Sequence, residues 1–146
     1  MLDPGAKMPT RAHETDAGLD LYSPVDMFVP GCKRKFFGFG AVKIGTAIID
    51  TGVHMAIPEG YVGDVKSKSG LMMNCNITTD GTVDCGYTGS IRVKLFNHSA
   101  TGLYITKGQK IAQLVIKKII TPVPELVDSL EATDRGEGGF GSTGAF

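Results

Sequence analysis

The chain has 146 residues, and its 15 Lys plus Arg balance 15 Asp plus Glu, so the formal charge at pH 7 is zero. That length suits one domain with its own core, and the balanced charge leaves no basic surplus for a nucleic-acid backbone. No apolar run reaches membrane-spanning length, and the opening Met-Leu-Asp-Pro-Gly lacks the charged and apolar regions of a signal peptide. Cys32, Cys75 and Cys85 are odd in number, and they and His13, His54 and His98 show no metal-ligand spacing. These features predict a cytoplasmic protein without a disulfide framework (host cytoplasm, if phage-encoded). Twenty glycines and seven prolines spread along the chain predict many turns and few long helices.

In chain order, residues 1–18 are polar and irregular. Leu19-Asp20-Leu21-Tyr22 alternates and stops at Ser23-Pro24, which predicts a short strand; residues 26–29 predict another before Pro30-Gly31. Lys33-Arg34-Lys35 and Phe36-Phe37-Gly38-Phe39-Gly40 follow, a segment we expect to form a solvated surface hairpin over about 32–46. Residues 44–49 and 53–57 are β-rich on either side of Asp50-Thr51-Gly52, which predicts a hairpin. Residues 61–66 predict a strand, and residues 71–74 the one helical turn, with Ser69 as its N-cap.

Residues 81–97 carry the strongest pattern. Ile91, Val93 and Leu95 alternate with Ser90, Arg92, Lys94 and Phe96, the period of a half-buried strand. Thr82 and Val83 predict a short opposing strand, with Asp84-Cys85-Gly86-Tyr87-Thr88-Gly89 as a hairpin turn that sets a carboxylate beside a phenol ring. Strands at 103–105 and 111–120 complete the pattern, the latter β-branched and apolar. After Pro122 and Pro124 hydrophobic density falls, and residues 131–146 are polar and glycine-rich. The fold class predicted is all-β, a jelly roll or sandwich of many short strands with at most one short helix. It divides into a domain over 1–130 and a flexible tail over 131–146.

Four further stretches hold residues that chemistry could use, each with a structural alternative. Asp20 sits within an apolar strand, where a carboxylate needs a partner, and a nearby cation or amide would suffice. Lys68-Ser69-Gly70 offers a cation, a hydroxyl and free N–H groups for an anion, or plain capping. Gln113 lies among apolar neighbours, facing a ligand's oxygens or a cross-strand bond. Arg135, the glycine run, Phe140, Gly141 and Ser142 could wrap phosphates and stack on a base, or form a disordered tail.

Taken in order, these stretches resemble the five motifs of the trimeric deoxyuridine triphosphatases. Ala17-Gly18-Leu19-Asp20-Leu21 is similar to the first and Lys68-Ser69-Gly70-Leu71 to the second. Gly81-Thr82-Val83-Asp84 with Tyr87-Thr88-Gly89 is similar to the third, residues 108–114 to the fourth, and the stretch from Arg135 to Gly144 to the fifth. The resemblance implies a jelly-roll homotrimer that hydrolyses dUTP to dUMP and pyrophosphate with Mg2+, each site shared between subunits. It implies that Asp84 activates the attacking water and that Tyr87 lies under the deoxyribose. Gly81, Thr82 and Val83, with Arg92, would read the uracil edge, and Thr78 stands where some members carry a uracil-contacting Asn. Lys68, Ser69, Gly70 and Gln113 would hold phosphates, Arg135 the γ-phosphate, and Phe140 would stack on the base ahead of Gly141 and Ser142. No direct metal ligand is implied; Asp20 would act through waters or through the Lys68 cation. Neither a membrane nor a nucleic acid is an expected partner.

The chain departs from the family pattern at Lys68, where Arg is usual, and at Gln109 and Lys110, where an acidic residue and Arg are common. The 32–46 segment is longer than usual. Two other functions compete with this one. The related deoxycytidine triphosphate deaminases place a catalytic Glu after the aromatic residue, where Thr88 stands here, and an Arg where Met73 stands. Without that carboxylate, deamination lacks its acid–base group. A regulatory jelly roll that binds a partner protein, through 32–46, is the other.

Overall fold

The alternating segments become strands, but their partners lie far away in sequence. The computed structural model describes residues 1–34 and 40–139. Its strands are β1 (Gly18–Tyr22), β2 (Met27–Val29), β3 (Lys33–Arg34), β4 (Val42–Lys43), β5 (Gly45–Asp50) and β6 (Tyr61–Ser67). After the only helix among the described residues, α1 (Ser69–Cys75), come β7 (Ile77–Thr78), β8 (Asp80–Val83), β9 (Arg92–Asn97), β10 (Leu103–Ile105) and β11 (Lys110–Lys118). β1, β11, β6 and β8 form one antiparallel sheet in that order. β5, β9 and β7 form a second, and β2 pairs with β10 and β3 with β4.

The layers share one core. Leu21, Val65, Val83, Ala112 and Leu114 come from the first sheet, and Ile49, Ile77, Val93 and Leu95 from the second. Val29 and Ile105 join them from β2 and β10. Period two explains the sorting: Val93 and Leu95 are buried while Arg92 and Lys94 between them are exposed. Each such aliphatic side chain contributes about 1.5–3 kcal/mol by leaving water. This is the all-β sandwich that the sequence predicts. No helix among the described residues is long and apolar enough to cross a membrane, and the three cysteines are free thiols.

Both hairpins expected beside the site are absent. β5 does not fold back on 53–57; it pairs with β9, and Val53 makes only an isolated bridge with Leu2. The reason lies in Thr51, whose amide and hydroxyl both donate to the Ile91 carbonyl, at 3.1 and 2.7 Å. The Val53 carbonyl in turn accepts from the Ile91 amide at 2.9 Å. Those bonds commit 50–53 to strand β9 and leave nothing for a local return. Likewise β8 pairs with β6 while β9 pairs with β5 and β7, so residues 84–91 cross between two sheets.

The helix starts two residues before the expected turn at 71, and its N-cap falls one residue earlier than expected. Lys68, in extended conformation, is its N-cap and makes no side-chain cap bond; Ser69 is the first helical residue. Asn76 closes the other end in the left-handed conformation, its amide bonded to the Leu71 carbonyl. The expected surface hairpin appears at its base, where Lys33 faces Lys43 and Arg34 faces Val42. Residues 35–39, which include the rest of the basic and aromatic cluster, lie outside the described residues. The 111–120 expectation becomes β11, buried at Ile111, Ala112 and Leu114 and more open toward Lys118.

Candidate active site

The crossing at 84–91 creates a cavity. A hydrogen-bonded hairpin would fill its own interior with cross-strand side chains. Here β8 and β9 diverge into different sheets and leave a space of about 230 Å3 lined by Val65, Gly81, Thr82, Val83, Asp84, Tyr87, Ser90, Ile91 and Arg92. Val65, Val83 and Ile91 are buried and give it an apolar floor. β8 ends its sheet, paired only with β6, so alternate N–H and C=O groups of 80–83 point away from any strand. An edge of fixed, unclaimed donors and acceptors suits a planar heterocycle. Asp84 and Arg92 are exposed at the rim.

Tertiary bonds hold the crossing more than its own turn does. Within it the Tyr87 amide donates to the Asp84 carbonyl at 3.2 Å and the Tyr87 hydroxyl to the Ser90 carbonyl at 3.0 Å. Gly86 has φ +82, a conformation L side chains rarely adopt. From outside, the Ser90 hydroxyl donates to Asp50, and Asp50 also accepts the Gly52 amide at 3.1 Å. Those two bonds hold the Asp50 carboxyl below its ordinary pKa, with the nearby Arg92 charge adding to them. Asp50 and Ser90 did not stand out in the sequence, where Asp50 reads as a turn residue.

A second group of side chains lies on the polar face of the first sheet. Directly opposed residues in antiparallel strands share a face, and the register lines up Asp20, Gln113, Lys66 and Asp80 across β1, β11, β6 and β8. Asp20 is 3% exposed, and its two oxygens each meet an ammonium at 2.6 Å, one from Lys68 and one from Lys110. Burial alone would raise the Asp20 carboxyl, but the bonds from Lys110 and Lys68 outweigh it and leave the pKa lowered. Asp20 is thus bonded to the Lys68 cation. Lys110 is the residue sequence reasoning undervalued: it reads there only as a departure from the family pattern. Its position at the start of β11, beside the β1 bulge that pairs it with Tyr22, is what aims it at Asp20.

Gln113 donates to the Ser67 carbonyl at 3.3 Å, beside Lys68. Gly18 makes room for it, since a Cβ at Gly18 would lie 2.5 Å from the Gln113 Oε1. Ser69 and Gly70 are exposed at the start of α1. Thr78 stands apart from the cavity lining, on β7, with its hydroxyl 2.7 Å from His98 Nε2. Arg135 lies in an exposed stretch, its Nε donating to the Gly138 carbonyl at 2.9 Å. Phe140, Gly141 and Ser142 lie outside the described residues.

Within one chain Lys66 and Asp80 of the row sit next to Val65 and Gly81 of the cavity lining, whereas Lys68 lies apart from Asp84. Val83 faces Gly63 on β6, whereas Lys68 comes five residues later, roughly 16 Å along a strand. Lys68 also reaches toward β1, on the far side of β11 from β8. Among the described residues no three His, Cys, Asp or Glu side chains converge. One exposed carboxylate beside a cavity matches a Mg2+ ion that arrives with phosphate oxygens and keeps its waters, as that ion prefers.

Known proteins agree with this geometry. A family model described as dUTPase matches residues 5–144. The probable deoxyuridine 5'-triphosphate nucleotidohydrolase of Schizosaccharomyces pombe is 41% identical over 140 residues, covering 95% of this chain and 91% of that protein. The deoxyuridine 5'-triphosphate nucleotidohydrolase of Clostridium kluyveri is 42% identical over 142 residues, with the same shares. Among solved structures, a mutant dUTPase of Staphylococcus bacteriophage 80alpha with dUpNHpp superposes with a TM-score of 0.83 at 31% identity, covering 98% of this chain and 95% of that one. A mutant dUTPase of S. aureus phage phi11, described with a structural Mg(II) ion, gives 0.74 at 28% identity over 90% and 95%. Cavity, charge row and matches along nearly the whole chain place this protein in the dUTPase family.

Proposed function

We propose that this enzyme hydrolyses dUTP to dUMP and pyrophosphate by in-line attack of water on the α-phosphorus, which supplies dUMP and keeps dUTP from DNA synthesis. The observation that carries the reading is the cavity between β8 and β9, with an unpaired strand edge, an apolar floor and Asp84 at its rim. Uracil pairs with the edge of Gly81, Thr82 and Val83, and Arg92 borders it. Tyr87 lies under the deoxyribose and leaves no room for a 2′-hydroxyl. A polar edge left unpaired by the wrong base costs more than a missing apolar contact, which is how the site selects.

Asp84 accepts the proton of the attacking water. The new bond joins the water oxygen to the α-phosphorus, and the bond to the α–β bridging oxygen breaks, so pyrophosphate leaves with its electron pair. Such a transfer needs an oriented water and charge neutralisation more than covalent chemistry. Lys68, Gln113 and the N–H groups at Ser69 and Gly70 neutralise and hold phosphates, with Asp20 and Lys110 fixing the Lys68 ammonium. With no direct ligand assigned to this chain, bound Mg2+ would supply further charge neutralisation. The domain is 1–130, and the tail, 131–146, brings Arg135 to the γ-phosphate and Phe140 over the base, with Gly141 and Ser142 beside it.

The distance between Asp84 and Lys68 within one chain supports a site shared between copies in a homotrimer. Free thiols and the lack of a membrane-spanning helix among the described residues are compatible with a cytoplasmic enzyme. A pyrophosphate-release assay across dUTP, dTTP, dCTP and UTP tests the reading. We expect release from dUTP far above the other three; equal rates on dUTP and UTP, or none on dUTP, would refute it.

A further inference from the structure

His54 makes two contacts that a neutral imidazole cannot both satisfy. Its Nδ1 lies 2.8 Å from the Thr88 carbonyl and its Nε2 lies 3.2 Å from the Asp3 carboxylate. A backbone carbonyl only accepts, and an ionised carboxylate only accepts, whereas neutral imidazole carries a single N–H. Imidazolium donates at both nitrogens, and only that form fits both partners.

The two partners matter for where they lie. Thr88 follows Tyr87 in the 84–91 crossing, whose own backbone bond among the described residues is the one from Tyr87 to Asp84. Asp3 belongs to an N-terminal arm tied to the same place, its amide donating to the Gly52 carbonyl at 2.8 Å. The His54 amide donates to the Met1 carbonyl at 3.0 Å, and the Met1 amino group donates to the His54 carbonyl at 3.0 Å. The imidazole side chain is 19% exposed, against 50% for Asp3.

We propose that His54 is a positioning residue for dUTP hydrolysis, an imidazolium that ties the 84–91 crossing to Asp3 and lets it loosen on losing its proton. This rests on the reading that the cavity beside that crossing receives the nucleoside. The charged groups facing His54 are Asp3, the Met1 amino group and, through space, Asp50, which is itself close to Arg92. The bonds to Thr88 and then Asp3 raise the imidazole pKa, against partial burial and the Met1 charge. A group raised by folding holds its contribution below its unfolded pKa of about 6.5 and loses it as pH rises through the folded value. Once neutral, His54 still donates to Thr88 from Nδ1, but the Nε2 lone pair then opposes the Asp3 carboxylate. The arm keeps its backbone bonds, but the tie that runs from Thr88 through the ring to Asp3 is broken, and Tyr87 and Asp84 lose that restraint.

Asp3→Asn separates this mechanism from a merely structural contact. An asparagine amide donates to Nε2, so a neutral ring satisfies both neighbours and the proton is no longer required. The test combines an NMR titration of the His54 ring with KM and kcat for dUTP over about pH 6 to 8.5. In the wild type we expect the ring to titrate above 6.5 and KM to rise several-fold through that titration, with a smaller change in kcat. In Asp3→Asn the ring pKa should drop and KM should become flat with pH. His54→Ala should show the weak-binding KM at every pH, with its fold checked by thermal unfolding. A wild-type ring titrating at or below 6.5, or the same KM profile in Asp3→Asn as in wild type, overturns the proposal. Absence of dUTP hydrolysis at every pH would sink the cavity reading and this role with it, and the ring titration tells the two failures apart.

Discussion

The two parts of the candidate site are built in opposite ways. The charge row of Asp20, Gln113, Lys66 and Asp80 is set by strand register, so each side chain's place follows from the ladder beneath it. The 84–91 crossing has no ladder. It is held by single bonds from Thr51, Val53, Asp50 and His54 to Ile91, Ser90 and Thr88. A ladder positions charges cheaply but leaves no space, since opposed side chains fill it. Splayed strands leave space and need outside bonds to define it. In the proposed function, recognition of the base is assigned to the second region and neutralisation of phosphates to the first.

The comparison breaks most visibly at Asp84. Asp84→Asn should leave the fold and the binding of a non-hydrolysable dUTP analogue intact while slowing the chemical step roughly 10²- to 10⁴-fold, because an amide cannot take the water's proton. A single-turnover rate within a few-fold of wild type would remove Asp84 from that role. In the charge row the expected effect is on binding. Lys68→Ala should weaken analogue affinity roughly 10- to 100-fold, the worth of one or two charge-assisted bonds. Lys68→Arg should preserve it, since a guanidinium keeps the charge and can reach two oxygens. Calorimetric titration of both variants decides the matter, and unchanged affinity in the alanine variant counts against the phosphate role.

Acid sharpens the same contrast. Folding depresses the Asp20 carboxyl below its ordinary 3.8, so its stabilising contribution is present above that value and is lost as pH falls through the lower folded one. Thermal midpoints should therefore fall as wild type is acidified below about pH 4, and Asp20→Asn should be less stable at pH 7 but flatter in acid. Parallel curves for the two proteins would show that the Lys68–Asp20–Lys110 cluster is not responsible. The smallest effect belongs to Gly18. Gly18→Ala places a methyl against Gln113 Oε1 and should raise KM a few-fold with little change in kcat; an unaltered KM would mean that Gln113 does not touch substrate.

Much of the sheet was legible because period two is local. Residues 18–22, 61–67 and 92–97 announce strands and their buried faces, and the strand at 103–105 was read with the bounds it has. Partner choice was not legible. Asp50-Thr51-Gly52 has hairpin composition, yet the Thr51 hydroxyl bonds a carbonyl 40 residues away, and no local signal encodes that. The same gap produced the false hairpin at 84–89, although Gly81, Thr82, Val83, Asp84, Tyr87 and Arg92 do line one cavity. Lys110 and His54 went unread because their meaning depends on what faces them. Asp20 lies 90 residues from Lys110, and Thr88 lies 34 from His54.

In the shared site, Asp84 of one copy works with Lys68 of another. Co-expressing an Asp84→Asn chain and a Lys68→Ala chain with different tags, isolating assemblies that carry both, and assaying pyrophosphate release from dUTP tests it directly. Each parent assembly carries one of the two lesions at every site, and the assay is run at dUTP well below the KM of Lys68→Ala, where its weakened binding shows. Mixed assemblies should contain sites with an intact Asp84 from one chain and an intact Lys68 from the other, and should recover activity well above both parents. Verified mixed assemblies as inactive as the parents would mean that both groups act within a single chain, contrary to the shared site.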